Sequence, residues 1–274
     1  MAEHHFVTVD RIRTHYVAAG EGPPLLLLHG LIANLMAWAP NIGPLSQKFT
    51  VYALDFPGRG DSDKPNIDYR VPTGARFIRK FMEVLGIERA SLAGCSMGGM
   101  VALRTALDFP NLVDKLVLVS AAGLGRELTW SVRMMSLPLL GELLESLSLR
   151  GTRASLRNIF YDHSLIQDGF LQEIHRTRRL PGAKQAALKM IRGAVGLRGL
   201  HKQWIMTEHL KHLNIPVLIV WGAQDRIIPV SHAYNAARNA PGVKLHVFDR
   251  CGHWPQIEKS AEFNQTVLDF LGEE

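Results

Sequence analysis

The sequence predicts an α/β protein with a mostly parallel central sheet, helices on both faces and an inserted helical cap. Short apolar runs alternate with amphipathic helical segments in the first 125 residues, and the alternation resumes near residue 212. This alternation is typical of a parallel sheet covered by helices. Between the two halves, leucines recur at three- and four-residue spacings. We therefore expect a core of residues 1–125 and 212–274, with residues 126–211 forming the cap.

The opening segment predicts a β-hairpin, because alternating runs at residues 6–10 and 12–19 meet at Asp10-Arg11. The wholly apolar run at 25–28 suits a central parallel strand that is buried on both faces. The remaining elements of the core are predicted in the order helix 38–47, strand 50–54, helix 73–85, strand 115–119, strand 217–221, helix 230–239, strand 244–248 and helix 260–271.

A Gly-x-Ser-x-Gly sequence lies between a strand that begins at Ala90 and a helix that continues through Met100. Gly94 and Gly98 let the chain turn tightly around Ser96, since larger side chains there would collide. Such a turn exposes the Ser96 hydroxyl beside the first amides of the helix, which can stabilise an anion. The five residues alone are equally compatible with a plain glycine-rich connection, so the interpretation depends on the rest of the chain.

A base and a carboxylate that could activate Ser96 also follow predicted strands. Asp225 comes after the strand at 217–221, and His253 lies in the loop after the strand at 244–248. A serine hydroxyl needs an imidazole to take its proton, and the imidazole needs a carboxylate to fix its tautomer. The chain order serine, aspartate, histidine is the one expected for a triad on an α/β sheet of this kind. We therefore predict a Ser96–His253–Asp225 catalytic triad.

Two other carboxylates could compete with Asp225, and each has a simpler interpretation. Asp55 is predicted to close its own turn by accepting hydrogen bonds from nearby amides. Asp249 lies only four residues before His253, which is too close to reach the ring from the opposite side. His29 has no base partner in the sequence, and we expect it to brace its loop.

The chain resembles the α/β-hydrolases over nearly its whole length. The motifs that carry the resemblance are Leu28-His29-Gly30, Asp55-x-Pro57-Gly58-x-Gly60-x-Ser62, Gly94-x-Ser96-x-Gly98-Gly99, Gly222-x-x-Asp225 and Gly252-His253. The resemblance implies that the backbone amides of Leu31 and Met97 form an oxyanion hole. Each such donor typically stabilises a transition state by about 3 kcal/mol.

Within that family the chain is similar to the meta-cleavage product hydrolases, which break a carbon–carbon bond in ring-fission dienoates. The similar segments are Phe160-Tyr161-Asp162-x-Ser164-Leu165-Ile166 and Cys251-Gly252-His253-Trp254-x-Gln256-x-Glu258. Several polar positions of that family differ here, since its asparagine before the nucleophile is Cys95 and its cap arginine falls near Ile174. Its second pocket asparagine falls near Pro40, and its glycine- and proline-rich run after His-Gly reads Leu31-Ile32-Ala33-Asn34. Arg176, Arg178 or Arg179 could replace the cap arginine.

These differences favour an uncharged ester with a modest acyl or alkyl group over a charged dienoate. We expect an apolar substrate pocket that contains, beside the two oxyanion residues, Trp254, Leu139, Leu140 and Phe160. Any of the cap residues could instead pack only against the cap. Cys95 and Cys251 occupy positions where small buried residues fit, and we interpret them as inert thiols.

Composition limits the class of protein. The chain is 47% hydrophobic and 20% charged, and its two cysteines provide no disulfide framework, so we expect a folded cytoplasmic protein. Residues 1–10 lack the apolar stretch of a secretion signal, and charged residues and a proline interrupt the apolar region at 130–149. We therefore expect no stable membrane insertion.

The positive charge is concentrated in the predicted cap. Residues 126–211 contain 14 Lys/Arg and 7 Asp/Glu, whereas the rest of the chain is nearly neutral. A solvated helical face explains this surplus, with attraction of a carboxylate substrate as the alternative. Because aromatic residues do not interleave with the basic ones, we expect no nucleic-acid partner.

The sequence therefore predicts a serine hydrolase that cleaves carboxylic esters through an acyl-enzyme and needs no metal or organic cofactor. Its expected partner is a small ester or a related acyl compound. The alternative is carbon–carbon bond hydrolysis of a 2-hydroxy-6-oxodienoate by the same triad. A non-catalytic ligand receptor on the same fold is a third interpretation, disfavoured by the intact triad. No sequence feature specifies an oligomeric state.

Overall fold

An eight-stranded sheet forms the centre of the molecule in a computed structural model that describes residues 3–145 and 148–273. The strands, of which β7 and β8 form a separate hairpin, are β1 (Glu3–Val9), β2 (Ile12–Ala19), β3 (Pro24–Leu28), β4 (Thr50–Leu54), β5 (Ala90–Cys95), β6 (Val113–Val119), β7 (Val195–Gly196), β8 (Gly199–Leu200), β9 (Val217–Gly222) and β10 (Val243–Phe248).

The strand order explains where a site can form. It runs β1-β2-β4-β3-β5-β6-β9-β10, and the six strands from β4 to β10 in that order are parallel. After β3 the chain crosses to β4 on one side, whereas β5 lies on the other side of β3. The loops that follow β3 and β5 therefore diverge and leave a crevice at the carboxyl ends of these strands.

The predicted opening hairpin is present. Strands β1 and β2 pair from Glu3 opposite Ala18 to Val9 opposite Ile12. Asp10 (φ 49°) and Arg11 (φ 65°) both adopt left-handed backbone conformations, as the tight two-residue turns of hairpins require.

Helices cover both faces of the sheet, as predicted. They are α1 (Ala39–Leu45), α2 (Val71–Val84), α3 (Met97–Asp108), α4 (Trp130–Met135), α5 (Leu140–Leu144), α6 (Leu149–Ile159), α7 (Asp168–Arg178), α8 (Ala183–Ala194), α9 (Ser231–Asn239), α10 (Pro255–Glu258) and α11 (Ser260–Gly272). Leu26 and Leu28 of β3 pack in the layer of α2, α3 and α9, whereas Leu25 and Leu27 pack in the layer of α1 and α11. Successive strand residues point to opposite faces, so a strand buried on both must be wholly apolar.

The segment between β6 and β9 contains helices α4 to α8. The short antiparallel hairpin β7–β8 follows α8. Its turn depends on Gly199, which has a φ of 98° and lies so close to Arg126 that a Cβ would be 2.1 Å from that residue's carbonyl oxygen. Among the described residues, none of the helices is long and apolar enough to cross a bilayer.

Candidate active site

Ser96 occupies the tight turn between β5 and α3. Its backbone angles, φ 57° and ψ −117°, are strained for a residue with a side chain. Two close approaches permit the turn: a Cβ on Gly94 would lie 2.4 Å from the Gly98 carbonyl oxygen, and one on Gly98 would lie 2.2 Å from that of Leu28. The chain thus accepts local strain to place the Ser96 hydroxyl at the carboxyl edge of the sheet, and such strain is typical of functional sites.

His253 and Asp225 are in direct contact. His253 Nδ1 lies 2.7 Å from Asp225 Oδ2, and both side chains are buried. The other carboxylate oxygen, Oδ1, accepts hydrogen bonds from the amides of Ile227 (2.8 Å) and Ile228 (3.0 Å). With Nδ1–H directed at the carboxylate, the Nε2 atom of His253 is left for proton transfer.

Ser96 and His253 line the same cavity, which has a volume of about 100 Å³ and also includes Gly30, Leu31 and Met97. The structure thus brings the three predicted triad residues to one edge of the sheet. Within the described chain no hydrogen bond joins Ser96 Oγ to the His253 ring. Such contacts are often long in the absence of substrate and shorten in the reactive complex.

The loop that carries His253 is fixed by contacts with the segment that follows α6. The His253 amide donates to the Ile159 carbonyl oxygen at 2.7 Å. The carboxylate of Glu258 accepts from the Gly252 amide at 2.8 Å and from the Tyr161 amide at 2.7 Å. Burial raises the pKa of Glu258, although the backbone donors oppose the shift. From the sequence, Glu258 was identified only as part of a segment similar to the meta-cleavage product hydrolases. Its role in fixing the His253 loop was not predicted.

The two residues predicted to donate oxyanion-hole amides, Leu31 and Met97, both lie beside Ser96. Met97 is the first residue of α3, so its N–H has no partner within the helix. Leu31 follows Gly30, whose position is so close to Ser96 that an added Cβ would lie 3.1 Å from the Ser96 Cβ. Both Leu31 and Met97 line the cavity, which makes them suitable donors to a developing oxyanion.

His29 braces its loop, as the sequence predicts, and is fully buried. Its Nδ1 lies 2.7 Å from the Gly30 carbonyl oxygen, and its Nε2 accepts the Phe56 amide at 3.1 Å. Burial lowers the pKa of His29 to about 4, because the interior disfavours the charged ring. His29 is therefore neutral at pH 7 and holds the loop that presents the Leu31 amide.

Asp55 closes its own turn, also as predicted. It accepts the Leu35 amide at 2.8 Å and the Asp61 amide at 2.9 Å, and it lies 2.7 Å from Nδ1 of His15. Burial would raise the pKa of Asp55, but the hydrogen bond with His15, the nearby His29 and the backbone donors outweigh it and lower that pKa. His15 was not identified from the sequence; a buried histidine in a strand of the core was the available signal.

The same region contains a group of possible metal ligands in the described residues, namely His15, Asp55 and Asp61. Each already has a protein partner: His15 contacts Asp55, and Asp61 forms an ion pair with Arg176 at 2.6 Å. These contacts account for the group as a structural network.

Trp254 lines the catalytic cavity, but the other three predicted pocket residues do not. Leu139 is 85% exposed, Leu140 is half-buried elsewhere, and Phe160 packs edge-to-face on Trp254 with ring centroids 5.6 Å apart. Within residues 126–211, those that do line the cavity are Leu128, Val132, Ile159, Met190, Ile191, Ala194, Val195 and Leu200. Helical periodicity shows which residues share a face but not which neighbour that face meets, and α8 rather than α5 lies over the site.

The three arginines considered as replacements for a carboxylate-binding arginine all lie away from the catalytic cavity. Arg176 forms ion pairs with Asp61 and Glu173. Arg178 is buried and forms an ion pair with Glu145 at 2.8 Å. Arg179 is exposed, and none of the three lines the catalytic cavity.

Comparisons with known proteins agree with this architecture. A family model described as alpha/beta hydrolase fold matches residues 23–260. A protein of Comamonas testosteroni named 2-hydroxy-6-oxononadienedioate/2-hydroxy-6-oxononatrienedioate hydrolase is 34% identical over 97% of this chain and 95% of its own. The chain therefore belongs to the α/β-hydrolase fold family.

The solved structures that resemble this chain include two kinds of hydrolase. A meta-cleavage product hydrolase from Pseudomonas fluorescens superposes with a TM-score of 0.84 at 29% identity and 97% coverage of both chains. The carboxylesterase CesB from Bacillus subtilis superposes with a TM-score of 0.80 at 25% identity, over 99% of this chain and 92% of its own. The protein is thus a hydrolase of this family, and its similarity extends to both carbon–carbon bond hydrolases and carboxylesterases.

Proposed function

We propose that the protein is a serine hydrolase that cleaves carboxylic esters through an acyl-enzyme at Ser96. The observation that carries the proposal is the His253–Asp225 pair facing the same apolar cavity as Ser96. Ser96 Oγ attacks the ester carbonyl while His253 Nε2 takes its proton, and the Leu31 and Met97 amides hold the oxyanion. His253 then protonates the departing alcohol and activates the water that releases the acid. None of these steps requires a metal or an organic cofactor.

The character of the cavity favours an ester over a dienoate. In the described part of the chain, His253 is the only ionisable residue on its lining. A dienoate carboxylate would therefore be desolvated there without a cationic partner, at a considerable cost. The volume of about 100 Å³ is smaller than the roughly 150 Å³ cavity known to hold benzene, which suits a short uncharged group.

The second candidate function is carbon–carbon bond hydrolysis of a dienoate by the same three residues. It is favoured by similarity to relatives such as a 2-hydroxy-6-oxo-6-phenylhexa-2,4-dienoate hydrolase of Burkholderia cepacia, which is 34% identical over 97% of this chain. The Trp254 and Glu258 segment shared with that group supports it as well.

One substrate comparison separates these functions. Purified protein is assayed with p-nitrophenyl butyrate and with 2-hydroxy-6-oxo-6-phenylhexa-2,4-dienoate, whose yellow colour bleaches on cleavage. We expect ester cleavage that Ser96→Ala lowers by about 10⁶-fold and that Ser231→Ala, at an exposed serine, leaves unchanged. Faster cleavage of the dienoate would support carbon–carbon chemistry. If neither substrate is cleaved and a fluorophosphonate does not label the protein, a non-catalytic ligand receptor would be supported.

The compartment is inferred from the thiols. Cys95 and Cys251 are both free and buried, and burial raises the pKa of each. Unpaired cysteines fit a reducing environment, so the cytoplasm remains our proposal for where the protein acts.

A further inference from the structure

A second cavity, of about 460 Å³, lies directly against the catalytic cavity. Met97, Met100, Met190 and Ala194 line both. Methionine side chains are unbranched and flexible, so these three can move aside more easily than branched residues could. The two cavities are therefore separated mainly by flexible side chains, which can move to connect them.

The volumes indicate that a larger substrate needs both cavities. Sites for drug-sized ligands usually occupy roughly 300–1,000 Å³, whereas the catalytic cavity has only about 100 Å³. The second cavity falls within the usual range. An ester with more than a short acyl group would thus have to extend past the methionines.

The position of His253 identifies which half of the ester would extend. His253 and Trp254 line the catalytic cavity but not the second one. The departing alcohol must lie near His253, because that ring supplies its proton. The second cavity is instead bounded by Met97 and Met100, next to the oxyanion donor, and so lies on the acyl side.

The lining of the second cavity changes from apolar to charged. Its apolar part includes Phe56, Ile67, Val71, Phe77 and Val101. Its charged residues are Asp10, Asp68, Arg70, Arg76 and Lys80.

Four of these five charges balance one another, and Arg76 is left over. Arg70 pairs with Asp68 at 2.8 Å, and Lys80 pairs with Asp10. Arg76 is exposed and donates to Thr73 Oγ1 at 3.0 Å. It forms no ion pair with any residue that the structure describes, so one cation remains available to a ligand that enters this cavity.

We propose that the second cavity binds the acyl chain of a medium-length ester that ends in an anionic group, and that Arg76 recognises this group. The inference rests on the proposed esterase function and adds its substrate class: half-esters of medium-length dicarboxylic acids and chemically similar anionic acyl compounds. The chain passes the methionines with its ester carbonyl at Ser96, and its charged end stays at the solvent-facing rim.

The test compares two p-nitrophenyl esters of equal chain length, the decanoate and the sebacate half-ester, each relative to p-nitrophenyl acetate. We expect the kcat/KM of the wild type to be about 3- to 5-fold higher for the half-ester, as suits one partly solvated ion pair. Arg76→Gln should remove this preference, and high salt should weaken it. Arg238→Gln, at an exposed arginine on α9, should retain it. Equal rates for the two esters in the wild type would overturn the role of Arg76.

A space-filling variant tests the cavity itself. Ile67 lines the second cavity and not the catalytic one. Ile67→Trp should lower the ratio of decanoate to acetate kcat/KM by about 10-fold or more, because the chain loses its site. Ile67→Phe, which adds less volume, should give a smaller fall if the tryptophan variant does not fold. An unchanged ratio in folded protein would contradict the proposal.

A binding measurement separates this inference from the esterase proposal. Isothermal titration of Ser96→Ala with monoethyl sebacate and with ethyl decanoate should show tighter binding of the half-ester, lost on adding Arg76→Gln. If the half-ester binds more tightly but the wild type hydrolyses no ester, the proposed esterase function is refuted and the cavity assignment stands. Hydrolysis of p-nitrophenyl acetate without any preference for the anionic chain end would refute the cavity assignment alone.

Discussion

Two buried histidine–aspartate pairs have the same contact distance and different surroundings. His253 Nδ1 lies 2.7 Å from Asp225 Oδ2, and His15 Nδ1 lies 2.7 Å from Asp55 Oδ2. The two pairs differ in the surroundings of the other ring nitrogen, Nε2. His253 faces the cavity lined by Ser96, whereas His15 Nε2 lies 2.9 Å from His4 Nδ1.

The difference shows that a histidine–aspartate contact does not define a catalytic pair. Asp55 also accepts the Leu35 and Asp61 amides, so it connects β2, the loop after β3 and the loop after β4. Among the residues that the structure describes, the Asp225 carboxylate contacts His253 and otherwise accepts only amides of its own turn. One pair leaves a nitrogen free for a substrate, and the other uses its atoms to hold loops together.

Of the two carboxylates, Asp225 should have the larger effect on rate when it is substituted. Asp225→Asn should lower kcat for p-nitrophenyl butyrate by about 10³- to 10⁴-fold, because an amide favours the wrong tautomer of His253. The melting temperature should change little. Asp249→Asn is the matched control, since Asp249 is exposed and bonds Gln224 instead. A loss of less than 10-fold in Asp225→Asn would remove that residue from the triad.

Substituting Asp55 should affect the stability of the fold more than the rate of ester cleavage. Asp55→Asn should lower the free energy of unfolding by about 3–5 kcal/mol, as expected when one partner of a buried network is removed. Chemical denaturation measures this change. The rate per folded molecule, obtained by active-site titration, should fall far less than in Asp225→Asn. Comparable loss of rate in a fully folded Asp55→Asn would show that both pairs act in catalysis.

The stability of the loops that these residues brace should depend on pH. The pKa of His29 is about 4 in the folded protein, below the ordinary value of 6.5. Between these values the unfolded chain binds a proton that the folded chain does not, so stability is complete above pH 6.5 and falls towards pH 4. The lowered pKa of Asp55 adds a further loss at still lower pH, below its ordinary 3.8.

The lowered pKa of His29 alone should reduce the free energy of unfolding by about 3 kcal/mol between pH 7 and pH 4. Urea unfolding at several pH values measures the loss, and His29→Gln should flatten the curve in this interval. A curve for His29→Gln as steep as that of the wild type would assign the pH dependence to other groups.

The sequence predicts the core well because its signals are local. The run Leu25–Leu28 can only be buried on both faces, and the glycines around Ser96 mark one specific turn. Parallel strands also place their carboxyl ends at one edge, so Asp225 and His253 could be located from strand ends alone.

The part of the site formed by the segment between β6 and β9 could not be derived in the same way. Leu139 and Leu140 were expected in the pocket from helical spacing, yet Leu139 is exposed and Met190 of α8 lines the cavity instead. Which helix lies over the sheet depends on loop geometry and packing across distant segments. The same reason explains why His15, whose partner Asp55 is 40 residues away, was not identified.

The central claim is that esters are cleaved through an acyl-enzyme at Ser96, and pre-steady-state kinetics with intact-mass analysis test it most directly. Rapid mixing with p-nitrophenyl butyrate should release a burst of about one p-nitrophenolate per active site when deacylation is slow. Acid quenching should trap a butyryl adduct on the peptide that contains Ser96, and Asp225→Asn should slow its formation. Ester turnover without any adduct at Ser96, or turnover retained in Ser96→Ala, would contradict the account.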